Sequence, residues 1–370
     1  MNTGDLSTLL VWAAATAFTI ALVAYTIDLA RLADNAQRRR PELDAEAGED
    51  RAGVPAAVAV GSAGAASPVS QHLGSGSGPV TRSASASAIA GSADEAAIGR
   101  SPRAEGIARS TTYLGCVLLF AAIVLRGIAA GRWPTANMYE FTLVGVFVAT
   151  TVLAVVQRRR VIAFLGVVVM GIAVTALVVA IESFFVRADA VRPALQNYWL
   201  VLHVGVAIIA TGIFTVAFAT SVLQVLRYGR ETGRSHLDHP WKSADGVRQS
   251  ISGLAVTGPR FRWLDQVPDS RRLEALSFRL NALAFVLWTL TLIGGAIWAE
   301  DAWGRYWNWD SKEVGTFVAW VVYAAYLHAR TTRGWSGSKA AYFVFVGYAV
   351  VLANFTVVNL VIPGLHSYAF

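Results

Sequence analysis

The sequence predicts an all-α polytopic membrane protein with about eight transmembrane helices, both termini on the extracytoplasmic side and a disordered cytoplasmic tether after the first helix. Three observations predict it. Of 370 residues, 55% are hydrophobic and 15% charged, whereas a typical soluble chain is about a quarter charged. The apolar residues gather into runs of roughly 20, the length a helix needs to span ~30 Å of hydrocarbon. Lys and Arg collect between alternate runs. The formal charge of +7 therefore reflects basic loops and does not indicate nucleic acid.

The first span is expected from about Leu9 to Leu29. Residues 1–30 hold no Lys or Arg, so this stretch lacks the basic region of a cleaved signal peptide and reads as a retained helix. Arg31 and Arg38 to Arg40 follow. Residues 31–110 are rich in Ala, Ser and Gly, without sustained periodicity and with few large apolar residues, the composition of a tether with no core. From 111 onward the chain reads as one membrane domain of seven helices. The second span, about Thr112 to Ile128, carries Arg126 near its end. A short loop, G-R-W-P-T-A-N-M-Y-E, leads to the third helix, with Asn137 and Glu140 at the spacing of a capping pair. That helix ends at Arg158 to Arg160, and the fourth runs from Val161 to about Ile181.

The fifth span is expected from Tyr198 to Leu226, then a basic loop over 227–279, and the sixth span from Leu280 to Trp298. An external tryptophan-rich segment occupies 299–313. Asp310 and Glu313 have capping-box spacing, so a seventh helix should start there and run to Ala329. The eighth is expected from Ala341 to Ile362. With eight spans, 25 of the 31 Lys and Arg fall on one side, and the positive-inside rule makes that side cytoplasmic. The tryptophan-rich segment then faces out. The one cysteine, Cys116, lies within an apolar run, and no C-x-x-C-H occurs, so the chain carries no covalently attached haem of its own.

W-G-R-Y-W-N-W-D-S-K-E, from Trp303 to Glu313, places Trp303, Tyr306, Trp307 and Trp309 within seven residues, followed by Asp310. Large rings at such density are there to meet something. The expectation is a flat aromatic floor at the outer membrane surface. Of six histidines, His72, His236 and His239 fall in loops and read as solvated. His203 lies near the outer end of the fifth span, and His366 follows the eighth at the same level. Two imidazoles across an aromatic floor would ligate a flat porphyrin from above and below. Arg126, Arg132, Arg305 and Lys312 are cations on that side able to pair with haem propionates. The competing reading has His203 satisfying a buried hydrogen bond and His366 as a tail residue. Trp133, Trp199 and Trp298 read as interfacial belt residues. His328 stands 18 residues after Asp310, ~27 Å along a helix. It is either an interfacial histidine or the mark of a second, inner haem position.

Together these residues resemble the tryptophan-rich haem-handling proteins, and most closely the integral-membrane subunit of the system II cytochrome c synthase, the CcsA/ResC family, called CcsB in some lineages. The resemblance covers roughly Arg126 to Phe370 and rests on the tryptophan motif, on R-W-P-T-A-N-M-Y-E and on the histidine placement. It implies haem b bound without covalent attachment between His203 and His366, and an inner site at His328. It also implies a multi-pass protein of a bacterial plasma membrane whose active face is extracytoplasmic. The implied partners are a second membrane subunit with a large external domain, apocytochrome c and thiol-reducing proteins. A haem exporter without ligation activity and a system I-type haem-handling protein share the same signature and remain alternatives.

Overall fold

The computed structural model describes residues 2–38, 102–158, 162–188, 197–235, 237, 245–251, 254–362 and 364. Every regular element among these residues is helical: α1 (Thr3–Arg38), α2 (Pro102–Ala130), α3 (Met138–Val156), α4 (Ala163–Ser183), α5 (Tyr198–Glu231), a short α6 (Asp245–Ser250), a 3₁₀ segment (Pro259–Gln266), α7 (Ser270–Trp303), α8 (Ser311–Thr332), α9 (Ser338–Phe355) and a short α10 (Val357–Val361). Seven helices are long and apolar enough to cross a bilayer, α9 and α10 together forming the last.

The seventh expected span, α8, is less apolar, because tyrosines, Trp320 and His328 stand among its valines and alanines. Its 22 residues nonetheless run the full depth of the bundle, antiparallel to α7 and α9. Near its start, Lys312 Nζ donates to Asn354 O at the end of α9, at 2.9 Å. Near its other end, Arg330 pairs with Glu274 at the start of α7, at 3.1 Å.

Helix boundaries follow local chemistry. Asn137 accepts from Glu140 N at 2.9 Å and opens α3; Asn197 accepts from Trp199 N at 2.8 Å and opens α5. Asp310 and Glu313 form a reciprocal capping box at the start of α8. Gly304 closes α7 in the left-handed conformation, φ 72°, where a residue without Cβ has no steric cost. Several ends differ from the expected ones. α1 continues to Arg38 and α2 begins at Pro102, so both helices extend into the stretch read as tether; α5 continues to Glu231, and α7 begins at Ser270, inside the stretch read as a basic loop, and runs to Trp303. An N–H···O ladder continues through polar residues as readily as apolar ones, so a shift in composition does not by itself end a helix. Residues 39–101 lie outside the described residues.

Two cores share α5. Val11, Phe18 and Tyr25 of α1 pack with Leu119, Leu143, Leu165 and Val216 in the first. Phe214 of α5, Trp288 of α7, Tyr323 of α8 and Tyr348 of α9 form the second. α5 and α7 make the most extensive pairing in the second half of the bundle, as α1 and α2 do in the first. Apolar burial gives little drive for helix association in lipid, so close approach at small residues matters more. The ring of Phe18 lies over Gly115 and that of Tyr25 over Gly166, where a Cβ would come within 2.5 Å.

Candidate functional site

The N-terminus of α5 and the C-terminal end of α7 are tied by Asn197 Nδ2, which donates to Asp301 Oδ2 at 2.8 Å. That tie brings His203, on the second turn of α5, to the tryptophan-rich segment. The His203 ring lies against the α7 backbone. Its Nδ1 is 2.7 Å from Thr291 O. A carbonyl can only accept, so Nδ1 carries a proton, and in the neutral ring Nε2 then holds the lone pair. On the next turn Trp298 lies nearly parallel to the imidazole, with centroids 6.3 Å apart and planes 10° from parallel.

His203 stands between two cavities. The larger, about 900 Å³ including space open to solvent, is lined by the loop Thr135–Met138, Phe141, Trp288, Lys312 and Asn354 as well as His203. The smaller, about 400 Å³ on the same basis, is lined by His203, Trp298, Trp303, Tyr306 and Trp307. Lys312, partly buried, borders both cavities. Its ammonium donates to Asn354 O at 2.9 Å and to Asn359 Oδ1 at 2.8 Å. Asn354 in turn donates to Thr316 Oγ1 at 2.9 Å. Most of the wall is apolar, with a few convergent polar groups, as in small-molecule sites generally.

The structure therefore brings His203 together with Trp303, Tyr306 and Trp307. Asp310 sits directly beyond as the N-cap of α8, 8% exposed. The expected flat floor is corrected. Trp307 and Trp309 meet edge to face, centroids 5.8 Å apart and planes at 88°, and Trp298 meets Trp303 at 67°. Indole quadrupoles repel when the rings stack squarely, so densely packed indoles settle edge to face rather than as a slab. Trp309 is 77% exposed and has φ 57°. It is the single non-glycine among the described residues at positive φ, a strain that accumulates at functional positions.

Trp298, expected at the interface, is instead 2% exposed and covers His203. Thr291, Gly295 and Trp298 stand at i, i+4 and i+7, one face of α7. That spacing was the available signal.

The cations divide. Arg126 and Arg132 converge on Glu140, on neither cavity. Arg126 Nε is 3.1 Å from Oε1, and Arg132 NH1 is 2.7 Å from Oε2. Arg126 also donates to Val186 O and lies 5.0 Å from the Tyr139 ring centroid. Ala136 N donates to Glu140 Oε2 at 3.0 Å, so this knot also holds the loop that borders the larger cavity. Arg305 is exposed in the turn after α7. His328 is exposed near the opposite end of α8, on the face away from the buried Tyr323 and Tyr326. His366, like His72, His236 and His239, lies outside the described residues. Gly364, two positions before His366, lies against Asp310, where a Cβ would be 2.5 Å from Oδ1.

Residues 135–366, from the cavity loop through α9 and beyond, match the family described as "Cytochrome C assembly protein". The chain belongs to that family. Its relatives include the cytochrome c biogenesis protein CcsA of Synechococcus sp. (strain CC9902), 33% identical over 273 residues, covering 72% of this chain and 87% of the relative. CcsA of Porphyra purpurea is 30% identical over 292 residues, covering 73% and 90%, and that of Mesostigma viride is 29% identical over 270, covering 68% and 85%. Among solved structures, cytochrome c heme lyase CcmF matches with a TM-score of 0.54 at 14% identity, covering 96% of this chain and 47% of that one. At this identity the likeness is one of fold.

Proposed function

We propose that this protein handles haem in cytochrome c maturation. It receives haem b, holds it at the His203 end of the bundle and presents it for covalent attachment to C-x-x-C-H apocytochromes, as one subunit of a synthase. The observation that carries this reading is the setting of His203. Its Nδ1–H is held by a helix carbonyl, which in the neutral ring leaves Nε2 to ligate, and the ring stands where the larger cavity meets the tryptophan-rich segment. Membership of the cytochrome c assembly family and the CcsA relatives point the same way.

His203 would supply one axial ligand and His366 the other. The position of Gly364 beside Asp310 supports bringing the segment that bears His366 to this end. Trp298, Trp303, Tyr306 and Trp307 would line the porphyrin's apolar body, and Trp309 its exposed border. Of the four candidate cations Arg126, Arg132, Arg305 and Lys312, Lys312 borders the cavity and is best placed for a propionate. Each cysteine thiol of the apocytochrome adds across a vinyl group, its sulfur bonding to the inner carbon and its hydrogen to the terminal one, with no net oxidation. The protein's share is orientation, which can remove a large part of a barrier. An inner position at His328 would take its second ligand from outside the described helices, because His328 faces outward from the bundle.

The test is coexpression with a candidate second subunit and a C-x-x-C-H reporter, scored for covalent haem and for the bis-histidine spectrum of copurified haem. His203→Ala should abolish both. Haem moved outward without any attachment, with or without a partner, would favour an exporter. An unchanged spectrum in both His203→Ala and His366→Ala would end the ligand assignment.

A further inference from the structure

We infer that Gly295 is a positioning residue for the haem ligand His203: it opens a notch in α7 in which the imidazole lies against the helix backbone with its Nδ1–H on Thr291 O. The inference rests on the haem-site reading of His203 and adds to it the element that sets the ring's direction.

Three observations meet at the notch. A Cβ at position 295 would stand 2.7 Å from Cε1 and 2.8 Å from Nδ1 of His203. Cβ atoms do not come that near a ring, so any side chain there expels the imidazole. The Nδ1 hydrogen bond to Thr291 O, at 2.7 Å, forms only while the ring is seated. Trp298 closes the seat from the next turn, nearly parallel to the ring. The neighbouring Gly294 differs. A Cβ there would be 3.7 Å from the Cα and Cβ of His203, an ordinary contact. Two adjacent glycines thus have unequal roles, and only Gly295 governs the imidazole.

The seat does two things for a ligand. It fixes the tautomer, leaving Nε2 as the donor atom, and the carbonyl acceptor increases the basicity of that nitrogen. Partners of this kind typically change metal affinity by about 10–100-fold when removed. A larger residue at 295 would rotate His203 away and break both effects while leaving its identity intact.

The experiment uses the full-length chain in detergent, titrated with haemin and followed by its low-spin six-coordinate absorption bands. Four proteins are compared: unaltered, Gly295→Ala, Gly294→Ala and His203→Ala. Expected are a loss of the low-spin signature and roughly tenfold or greater weakening of haemin binding in Gly295→Ala, with Gly294→Ala unchanged. Millimolar imidazole should restore the low-spin bands in Gly295→Ala as it does in His203→Ala, because an added ligand replaces a displaced one but does not rebuild a collapsed site. A Gly295→Ala protein with an unaltered spectrum and affinity overturns the inference and leaves the haem-site reading standing. So does one that imidazole fails to restore while His203→Ala is restored. An unaltered spectrum in His203→Ala removes the haem-site reading and this inference together.

Discussion

Replacing Glu140 should destabilise the whole first half of the bundle, out of proportion to one side chain. The carboxylate is 1% exposed and Arg126 2%, with Nε and Oε1 3.1 Å apart. At an effective dielectric of about 20, unit charges at that separation attract by roughly 5 kcal/mol. Much of that attraction offsets the cost of removing both ions from water. Glu140→Gln keeps the shape but leaves Arg126 charged, buried and without its counter-ion, a change that typically costs about 3–5 kcal/mol. Arg132 contributes less, because it is 15% exposed and water compensates it in part. The assay is thermal unfolding of the purified protein in detergent, by tryptophan fluorescence, with Arg126→Met, Glu140→Met and the double variant Arg126→Met/Glu140→Met alongside. The double variant removes both charges and should be more stable than Glu140→Gln alone. A loss below about 1 kcal/mol in Glu140→Gln, or a double variant with the summed cost of the singles, would refute the reasoning.

Asp310→Ala removes the N-cap of α8 and half of its capping box, and should cost about 1–2 kcal/mol of thermal stability; Asp310→Asn, still a good cap, should retain most of it. Trp309→Gly relieves a positive-φ tryptophan, so its unfolding temperature should be equal or higher while haemin binds more weakly, and weaker stability with unchanged binding would contradict that trade. Gly166→Ala drives a methyl into the Tyr25 ring, where 2.5 Å is available, and should cost about 1–3 kcal/mol as overpacking. A melt of Gly166→Ala and Gly171→Ala compares that position with a glycine on the same helix that has no neighbour within 4 Å.

Much of the fold is legible in the order of residues because bilayer-spanning segments announce themselves by length. The capping box at Asp310 and Glu313 and the Asn137 cap were equally legible, since each depends on residues three apart. The site was legible in part. His203 and Trp307 could be named because ionisable and aromatic residues are rare at such density beside a span. Arg126 looked like a propionate partner because it is a cation near the outer end, and nothing in its own neighbourhood showed that Glu140, 14 positions on, would bury with it. Trp298 read as an interfacial anchor for a similar reason: its role depends on which face of α7 meets α5.

Composition and spacing alone establish that the chain is a helical membrane protein, and predict its aromatic segment at the level of a histidine, because hydrocarbon admits a helix only of a certain length and leaves its backbone no other partner. The contact of His203 with Thr291, Gly295 and Trp298, the edge-to-face order of the indoles and the diversion of two arginines to Glu140 came from packing. Each joins residues on different elements, and the register of one helix against another is set by side-chain volumes across the interface, not by any local pattern along either strand of sequence.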